Sequence, residues 1–580
     1  MTSWVRERLG AAGAPAMLEG GPSFAYVFGS VLVFLLVFEG LTGIALGMFY
    51  SPSTTDAWGS VAYLQDQTTW GWLVRGLHHH GGGAIVVVAG LHLVQTAVAG
   101  AYKKPRELVW WLGVLLLVLV VVWAVTGYVL RWDQEGYWAN RVELGIAAGG
   151  PFGAQIQQVA LGGNDHGNLS LTRFYGLHAL LFPVLVGALG YLHVKVARRH
   201  GTTPVRANRT APRFPDQAVR DAIACAVALA MLMGVVVARE GVELAAPADP
   251  SQSYDARPLW YFRWLFELRE LAGSAEKLVA LAAPAIVGGF LVALPLLDRG
   301  PSRRVRARLP WLGGLAGLLA LIGALTMMSF ARDANDGELA KRQERARAVA
   351  ARARELAKTH GVPSSGGQDV WLAAPGARGR KVFADNCRGC HEDVERRAPL
   401  ITAGHGDRAW MRDFLSDPSG DKFWGRTQLV VSQPLAEAWK DSWLEFLAPE
   451  LSPMPAMNEL DPADMDAVVE LMYAQTGATD VDAAKRTAGV KVFGAVCSDC
   501  HELAFEVVGQ GGPNLVGLGS RAYYFDFVGN PKHPLYMGPD RSFMPRFDAE
   551  LSIEDRAAVA DYLVWLRTAT PQDLAALDGP

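Results

Sequence analysis

Seven apolar runs, each long enough to cross a lipid bilayer, constrain this chain more than any other feature in it. They lie near residues 26–50, 84–101, 108–130, 177–197, 220–238, 278–297 and 310–330, and a hydrocarbon core takes roughly 17 to 25 residues per helical crossing. Backbone polar groups find no water inside a bilayer, so runs of this length are expected as helices. Composition agrees: 51% hydrophobic against 19% charged residues excludes a disordered chain. The 54 basic and 57 acidic residues leave a net charge of -3, which predicts no nucleic-acid partner. With 580 residues the chain has room for three to five domains at roughly 100 to 200 residues each.

Basic residues occupy every second loop. Arg6 and Arg8, Lys103, Lys104 and Arg106, then Arg198, Arg199, Arg206, Arg209 and Arg213, and finally Arg303, Arg304, Arg306 and Arg308 alternate with the mixed-charge loops 51–75, 131–176 and 239–277. The positive-inside rule places the basic loops and the N-terminus in the cytoplasm. An odd number of spans then sends the C-terminal part to the opposite, periplasmic face of a bacterial inner membrane. No cleavable signal pattern precedes Tyr26, so the first span is expected to be retained.

After Phe330 the composition turns charged, and 337–358 reads as an exposed helical spacer ended by Gly361 and Pro363. Beyond it a repeat of period 110 sets GRKVFADNCRGCH at 379–391 against GVKVFGAVCSDCH at 489–501. Each copy closes with Met-Pro and an amphipathic helix, after Met454 and after Met544. Cys-x-x-Cys-His is the attachment signature of a c-type heme: Cys387 and Cys390, or Cys497 and Cys500, add to the vinyl groups, and His391 or His501 becomes the proximal iron ligand. That chemistry belongs outside the cytoplasm, in agreement with the loop charges. A thioether sixth ligand suits electron transfer, which points to Met454 and Met544, with Met457 and Met537 as competitors. Both copies resemble class I cytochrome c. The second carries that family's GGPNLVGLGSRAY at 511–523, and the first replaces it with APLITAGHGDRAW and an insert at 416–450. The one remaining cysteine, Cys225, reads as a small buried hydrophobe, which leaves this chain no ligand set for an iron-sulfur cluster.

Intramembrane histidine is costly and marks function. His78 and His92 lie 14 residues apart on the second run, and His178 and His193 lie 15 apart on the fourth. Either interval is about 21 Å along a helix and returns to nearly the same face. Two helices so equipped can clamp two stacked b-type hemes. Gly29 and Gly43 on the first run, and Gly113 and Gly127 on the third, repeat the 14-residue interval and are expected to admit porphyrin edges. Glu39, an intramembrane acid, is either a proton-path group or a buried hydrogen bond.

Residues 20–330 resemble cytochrome b of the bc complexes, and the bf branch in particular, through GWLVRGLHHH, AYKKPRELVWWLG, VTGYVLRWDQEGYW, LTRFYGLHALLFP and APADP. The resemblance implies an all-α fold: a seven-helix transmembrane bundle followed by two class I cytochrome c domains. It divides the chain into 1–215 with both b hemes, 216–332 with a quinol-site loop, the spacer 333–375, and cytochrome c domains at 376–480 and 481–580. It further implies that His78 and His178 hold the heme near the positive side and His92 and His193 the inner one, and that Arg75 and Arg173 pair with heme propionates. Lys103, Lys104 and Arg106 match the basic cluster by the inner quinone site.

The family's Pro-Glu-Trp-Tyr segment at the quinol site reads here Pro258-Leu259-Trp260-Tyr261, lined across by Tyr128. A leucine stands where the family has its proton-accepting acid, with Asp133, Glu135, Glu267 and Glu270 as the nearby alternatives. No cysteine stands at Val27 or Leu35, where bf-type proteins tether a third heme. His79, His80, His166, His200, His405 and His533 have no matching interval and read as ordinary loop or flanking residues.

The resulting expectation is the core of a quinol:cytochrome c oxidoreductase that oxidises quinol on the positive side. One electron goes to a Rieske-type iron-sulfur subunit and the c hemes, and one crosses the membrane through two b hemes. A periplasmic acceptor or terminal oxidase is expected downstream, in a homodimer of multisubunit protomers. The rival is a transmembrane electron conduit with no bifurcating quinol site, and Leu259 is its best support.

Overall fold

A computed structural model describes residues 17–577, apart from 202, 205–209, 393–397, 425–453, 510, 539–541 and 543. Arg6, Arg8, Arg206, Arg209 and most of the 416–450 insert therefore lie outside the described residues. The chain is all-α and forms two compact units, Met1–Val370 and Trp371–Pro580. In the first unit all seven expected spans are helices, at Phe28–Gly47, Gly71–Val98, Glu107–Arg131, Asn168–Arg199, Asp216–Ala238, Trp260–Leu297 and Val305–Asn335. Large apolar side chains such as Val37, Leu41, Leu180, Val184, Met231 and Ile286 stay exposed along them, as lipid contact requires.

The fourth span departs from a uniform helix. Residues Leu177–Leu181 form a π turn immediately before Pro183. Proline lacks an N–H, and its ring displaces the carbonyl four residues back, so a wider turn there relieves both problems.

Loops from alternate ends of the spans gather at two poles. At one pole the helices Ala57–Gln67 and Gln134–Ala148 meet the loop after the fifth span. The Trp58 indole donates to the Ala245 carbonyl at 2.9 Å, and Asp133, fully buried, accepts from Gly136 N and Ala245 N. At the other, Lys103 reaches Asp298 at 2.5 Å and Arg308 reaches the same carboxylate at 3.0 Å, while Arg106 donates to the Gly201 carbonyl at 2.7 Å. These basic residues are thus tied into the fold. A two-stranded ribbon pairs Met17–Glu19 with Thr210–Pro212.

The spacer is less exposed than its composition suggests. Helix Gly337–His360 is capped by Asp336 and buries Leu339, Ala350, Ala353, Leu356 and Ala357. Arg354 forms an ion pair with Asp66, and Gly366 and Gly367 lie against Thr55 and Trp58. Alanine and leucine at helical spacing supply an apolar stripe that the arginine content hides in an average.

The second unit contains helices α1 (Ala377–Asn386), α2 (Arg408–Ser416), α3 (Pro462–Gln475), α4 (Ala483–Val496), α5 (Arg521–Gly529) and α6 (Ile553–Leu566). They form two cores, and neither core is a contiguous repeat. One joins Phe383 and Cys387 to Val528, Phe547, Val559 and Tyr562, and the other joins Phe493 and Cys497 to Met411, Leu415, Met465 and Val468. The helices α3 and α4, on either side of the boundary expected between 480 and 481, pack together.

Candidate functional site

The four membrane histidines meet in two pairs. The rings of His78 and His178 have centroids 6.1 Å apart, and those of His92 and His193 are 6.5 Å apart, each pair nearly perpendicular. Two imidazole nitrogens sharing one metal atom at about 2 Å each place their ring centroids roughly 6 Å apart. The residues present therefore fit a bis-histidine iron at two levels of the bundle. The π turn around His178 accounts for the unequal intervals: it takes up the extra residue of the 15-residue spacing, so both histidines of the fourth span face both of the second.

Hydrogen bonds orient the rings. His78 Nδ1 donates to Glu39 Oε2 at 3.0 Å and lies 3.1 Å from Thr42 Oγ1. His178 Nδ1 donates to the Trp123 carbonyl at 3.1 Å, beside Thr126 Oγ1 at 3.2 Å. Donation from Nδ1 leaves the Nε2 lone pair for a metal, as in histidine ligands generally. Glu39 is thereby placed as a partner of His78. At the inner pair, the Nδ1 atoms of His92 and His193 are buried with no hydrogen-bond partner among the described residues.

Each glycine of the 14-residue pattern faces one imidazole. A methyl group on Gly29 would stand 3.8 Å from His92 Cε1, on Gly43 3.1 Å from His78 Cε1, and on Gly113 3.2 Å from His193 Cε1; on Gly127 it would overlap the His178 ring. The absent side chains leave room for the imidazole rings beside them.

Residues 18–201 match the family described as Cytochrome b/b6/petB. The chain is 38% identical over 177 residues to cytochrome b6 of Rippkaea orientalis, which covers 30% of this chain and 80% of that protein. The chain belongs to the cytochrome b family. It is also 29% identical over 311 residues to the cytochrome bc complex cytochrome b subunit of Chlorobaculum thiosulfatiphilum, covering 52% of this chain and 72% of that one. A solved structure titled hyperthermophilic respiratory Complex III aligns with a TM-score of 0.49 and 25% identity over 54% of this chain and 86% of its own. Residues 484–563 match the family described as cytochrome C oxidase, cbb3-type, subunit III. This cytochrome b is a membrane protein that carries a cytochrome c part at its C-terminal end.

The arginines expected at the propionates have protein partners. Arg75 is buried and donates to Gln65 Oε1 and to the carbonyls of Val242 and Glu243, at 2.8, 2.8 and 3.0 Å. Arg173 donates to the carbonyls of Gln158 and Val159 at 3.3 and 2.5 Å. Both guanidinium groups fasten loops to the ends of the histidine-bearing spans, a role that sequence spacing does not display.

Pro258 and Leu259 run extended into a tight turn at Trp260–Phe262, with the rings of Trp260 and Tyr261 5.4 Å apart. Tyr128, at the end of the third span, lies under the Arg131 guanidinium at 4.2 Å. All four alternative acids are engaged: Asp133 caps a helix, Glu267 is buried against Arg332 at 2.7 Å, Glu135 pairs with Arg131 at 3.2 Å, and the exposed Glu270 lies 3.8 Å from Arg332.

A further acid was not foreseen. Glu143, half-buried on the helix Gln134–Ala148, lies within electrostatic reach of the Tyr261 hydroxyl. Burial pushes its carboxyl up to about 8 against the pull of Asn140. Asn140 donates to Glu143 at 3.4 Å and accepts from His166 Nε2 at 3.0 Å, and His166 Nδ1 faces the exposed Asp165 at 3.4 Å. His166, expected as an ordinary loop residue, is thus part of a row leading to the surface. No local motif marks Glu143, because His166 and Tyr261 come from other segments.

In the cytochrome c part, His391 Nδ1 donates to the Pro399 carbonyl and His501 Nδ1 to the Pro513 carbonyl, both at 2.9 Å. Each ring is held as that of His178 is, by a backbone carbonyl, with Nε2 left free for a metal. Met544 packs against the core that contains Phe383 and Cys387, whereas Met454 and Met457 pack against the core that contains Phe493 and borders Cys497. His405 is buried between Trp410 and Tyr524, and burial pushes its imidazole down to about 3. Cys225 lies among Leu35, Ile85 and Ala228, in keeping with a packing role.

Proposed function

We propose that this chain is the core of a quinol:cytochrome c oxidoreductase in which cytochrome b and a diheme cytochrome c are one polypeptide. The observation that carries the reading is the pair of histidine couples at iron-bridging distance in a chain that also holds two Cys-x-x-Cys-His motifs. His78 with His178 and His92 with His193 hold two b hemes, and Cys387, Cys390 and His391 with Cys497, Cys500 and His501 hold two c hemes. Bound hemes supply one-electron relay positions. Glu39, Thr42, Trp123 and Thr126 keep two of the four membrane imidazoles turned toward iron.

Quinol binds on the positive side against Pro258, Trp260, Tyr261 and Tyr128, and polar-tipped aromatic rings suit such a pocket. With Leu259 aprotic, Glu143 takes the quinol proton at its carboxylate, held by the Asn140 amide, which also fixes His166 beside the exposed Asp165. A Rieske-type subunit accepts one of the two electrons, in a dimer of multisubunit protomers in a bacterial inner membrane. The N-terminus is cytoplasmic, and the acceptor is a periplasmic carrier or a terminal oxidase.

Purification from native membranes, with subunit identification and quinol–acceptor kinetics, tests the reading. A copurifying iron-sulfur signal is expected, together with b-heme reduction that increases when the cytoplasmic-side site is inhibited. Turnover that ignores positive-side inhibitors, with no such subunit, would instead support the electron-conduit reading that Leu259 favours.

A further inference from the structure

The two cytochrome motifs are alike in register. Gly379 and Gly489 stand eight residues before the first cysteine of their motifs, and Phe383 and Phe493 stand four before. Each glycine lets its opening helix nest in a closing helix, and the choice of partner is the unexpected part. Gly379 of α1 lies against Ala558 and Tyr562 of α6, and Gly489 of α4 lies against Ala467 and Leu471 of α3, both too close for a methyl group. In each case the closing helix belongs to the other repeat.

Polar contacts repeat the crossing. Arg378 pairs with Asp555 at 3.0 Å and Glu554 at 3.3 Å, and the Phe383 and Tyr562 rings lie 5.4 Å apart. Lys485 pairs with Asp466 at 3.0 Å, and Glu470 accepts from Asp482 N at 2.7 Å. The helices α2 and α5 stay with their own closing helices: Arg408 pairs with Glu470 at 2.8 Å and Arg521 with Asp561 at 2.5 Å. The chain therefore changes core near 402–407 and again near 516–520. At this seam Gly404 N donates to the Leu566 carbonyl at 2.8 Å, and Arg567 donates to the Gly519 carbonyl at 2.9 Å.

The geometry points to two reciprocally exchanged heme lobes, in which His391 shares its iron with Met544 and His501 shares its iron with Met454. This rests on the reading of both Cys-x-x-Cys-His motifs as heme sites. Contiguous domains would pair His391 with Met454 and His501 with Met544. Met544 packs against the core that contains Phe383 and Cys387, and Met454 against the core that contains Phe493 and borders Cys497, which favours the exchange.

Full-length protein with one c heme removed separates the two arrangements. In Cys497→Ala/Cys500→Ala, which keeps the first heme, Met544→Ala should abolish the methionine-to-iron charge-transfer band of the oxidised protein and Met454→Ala should leave it. In Cys387→Ala/Cys390→Ala the outcome should invert. The opposite pattern in either background overturns the exchange. Retention of both covalent hemes in either cysteine variant would sink the heme reading itself, separately from the exchange.

A second measurement needs no ligand substitution. Arg378→Lys followed by carbodiimide coupling and peptide mass spectrometry should link residue 378 to Asp555 or Glu554. A link to Asp464, the counterpart of Asp555 on α3, would show contiguous lobes.

Discussion

Gly127 and His178 lie so close that a single methyl group on the glycine would overlap the imidazole ring. Gly29, by contrast, leaves ordinary van der Waals space beside His92. Gly127→Val should cost one b heme of the two and leave both c hemes, whereas Gly29→Ala should keep all four. Pyridine hemochrome analysis of the purified variants reads the difference. Equal heme content in the two variants would show that the clearance does not matter.

Heme stoichiometry itself should be two b to two c per chain, from two histidine pairs and two Cys-x-x-Cys-His motifs. His92→Leu should remove one b heme only, and Cys390→Ala should deplete covalent heme at one site only. A heme-stained denaturing gel of a fragment ending at the spacer should show no band, since Cys225 packs as an apolar residue.

Quinol turnover should carry the signature of Glu143. Burial pushes its carboxyl up to about 8, so the proton-accepting carboxylate grows as pH rises toward and through that value. The rate should climb over the same interval. Glu143→Gln should flatten the climb and lower turnover by roughly 100-fold, the lower end for general bases. Leu259→Glu in that background should restore part of the rate with a profile shifted to lower pH. An unchanged profile in Glu143→Gln would remove this residue from the proton path.

Arg408 should matter to the cytochrome c part by pH. It holds the buried Glu470 carboxyl below the usual carboxylate range through paired hydrogen bonds. Breaking a buried pair costs roughly 3 to 5 kcal/mol, and the partial exposure of Arg408 brings the expectation for Arg408→Ala down to about 2 kcal/mol. A depressed carboxylate stabilises fully above its unfolded pKa and ceases to do so as pH falls through the folded value. Thermal melts followed by heme circular dichroism should therefore differ at neutral pH and converge in acid. A constant gap would mean that the ion pair is not the cause.

Run length made the seven spans legible, because a bilayer imposes its thickness on any chain that crosses it. The histidine intervals were legible for a similar reason, since the helical period is fixed. The extra residue in the fourth span was visible as 15 against 14, and its cause lay in Pro183 and the π turn. For Arg75 and Arg173 the resemblance supplied the positions, whereas the carbonyls they hold, of Val242 and Glu243 and of Gln158 and Val159, do not show in the spacing. Glu143 was hidden because His166 and Tyr261 come near it and its neighbour Asn140 only in three dimensions. The crossing of the cytochrome lobes was hidden by the repeat, since α3 and α6 offer nearly the same face and nothing local tells α1 which to choose.

That crossing also sets an order of biogenesis. Lys485 and Asp466 are 19 residues apart, so the lobe that holds them can close as soon as α4 has been synthesised. Arg378 and Asp555 are 177 residues apart, and the other lobe must wait for nearly the last helix to be synthesised. Throughout that interval Phe383 and its motif stay open to the heme-attachment machinery and to proteases alike. A ribosome that stops after residue 520 releases a chain with one finished lobe and one unfinished, so the far end of the gene decides whether the first motif survives.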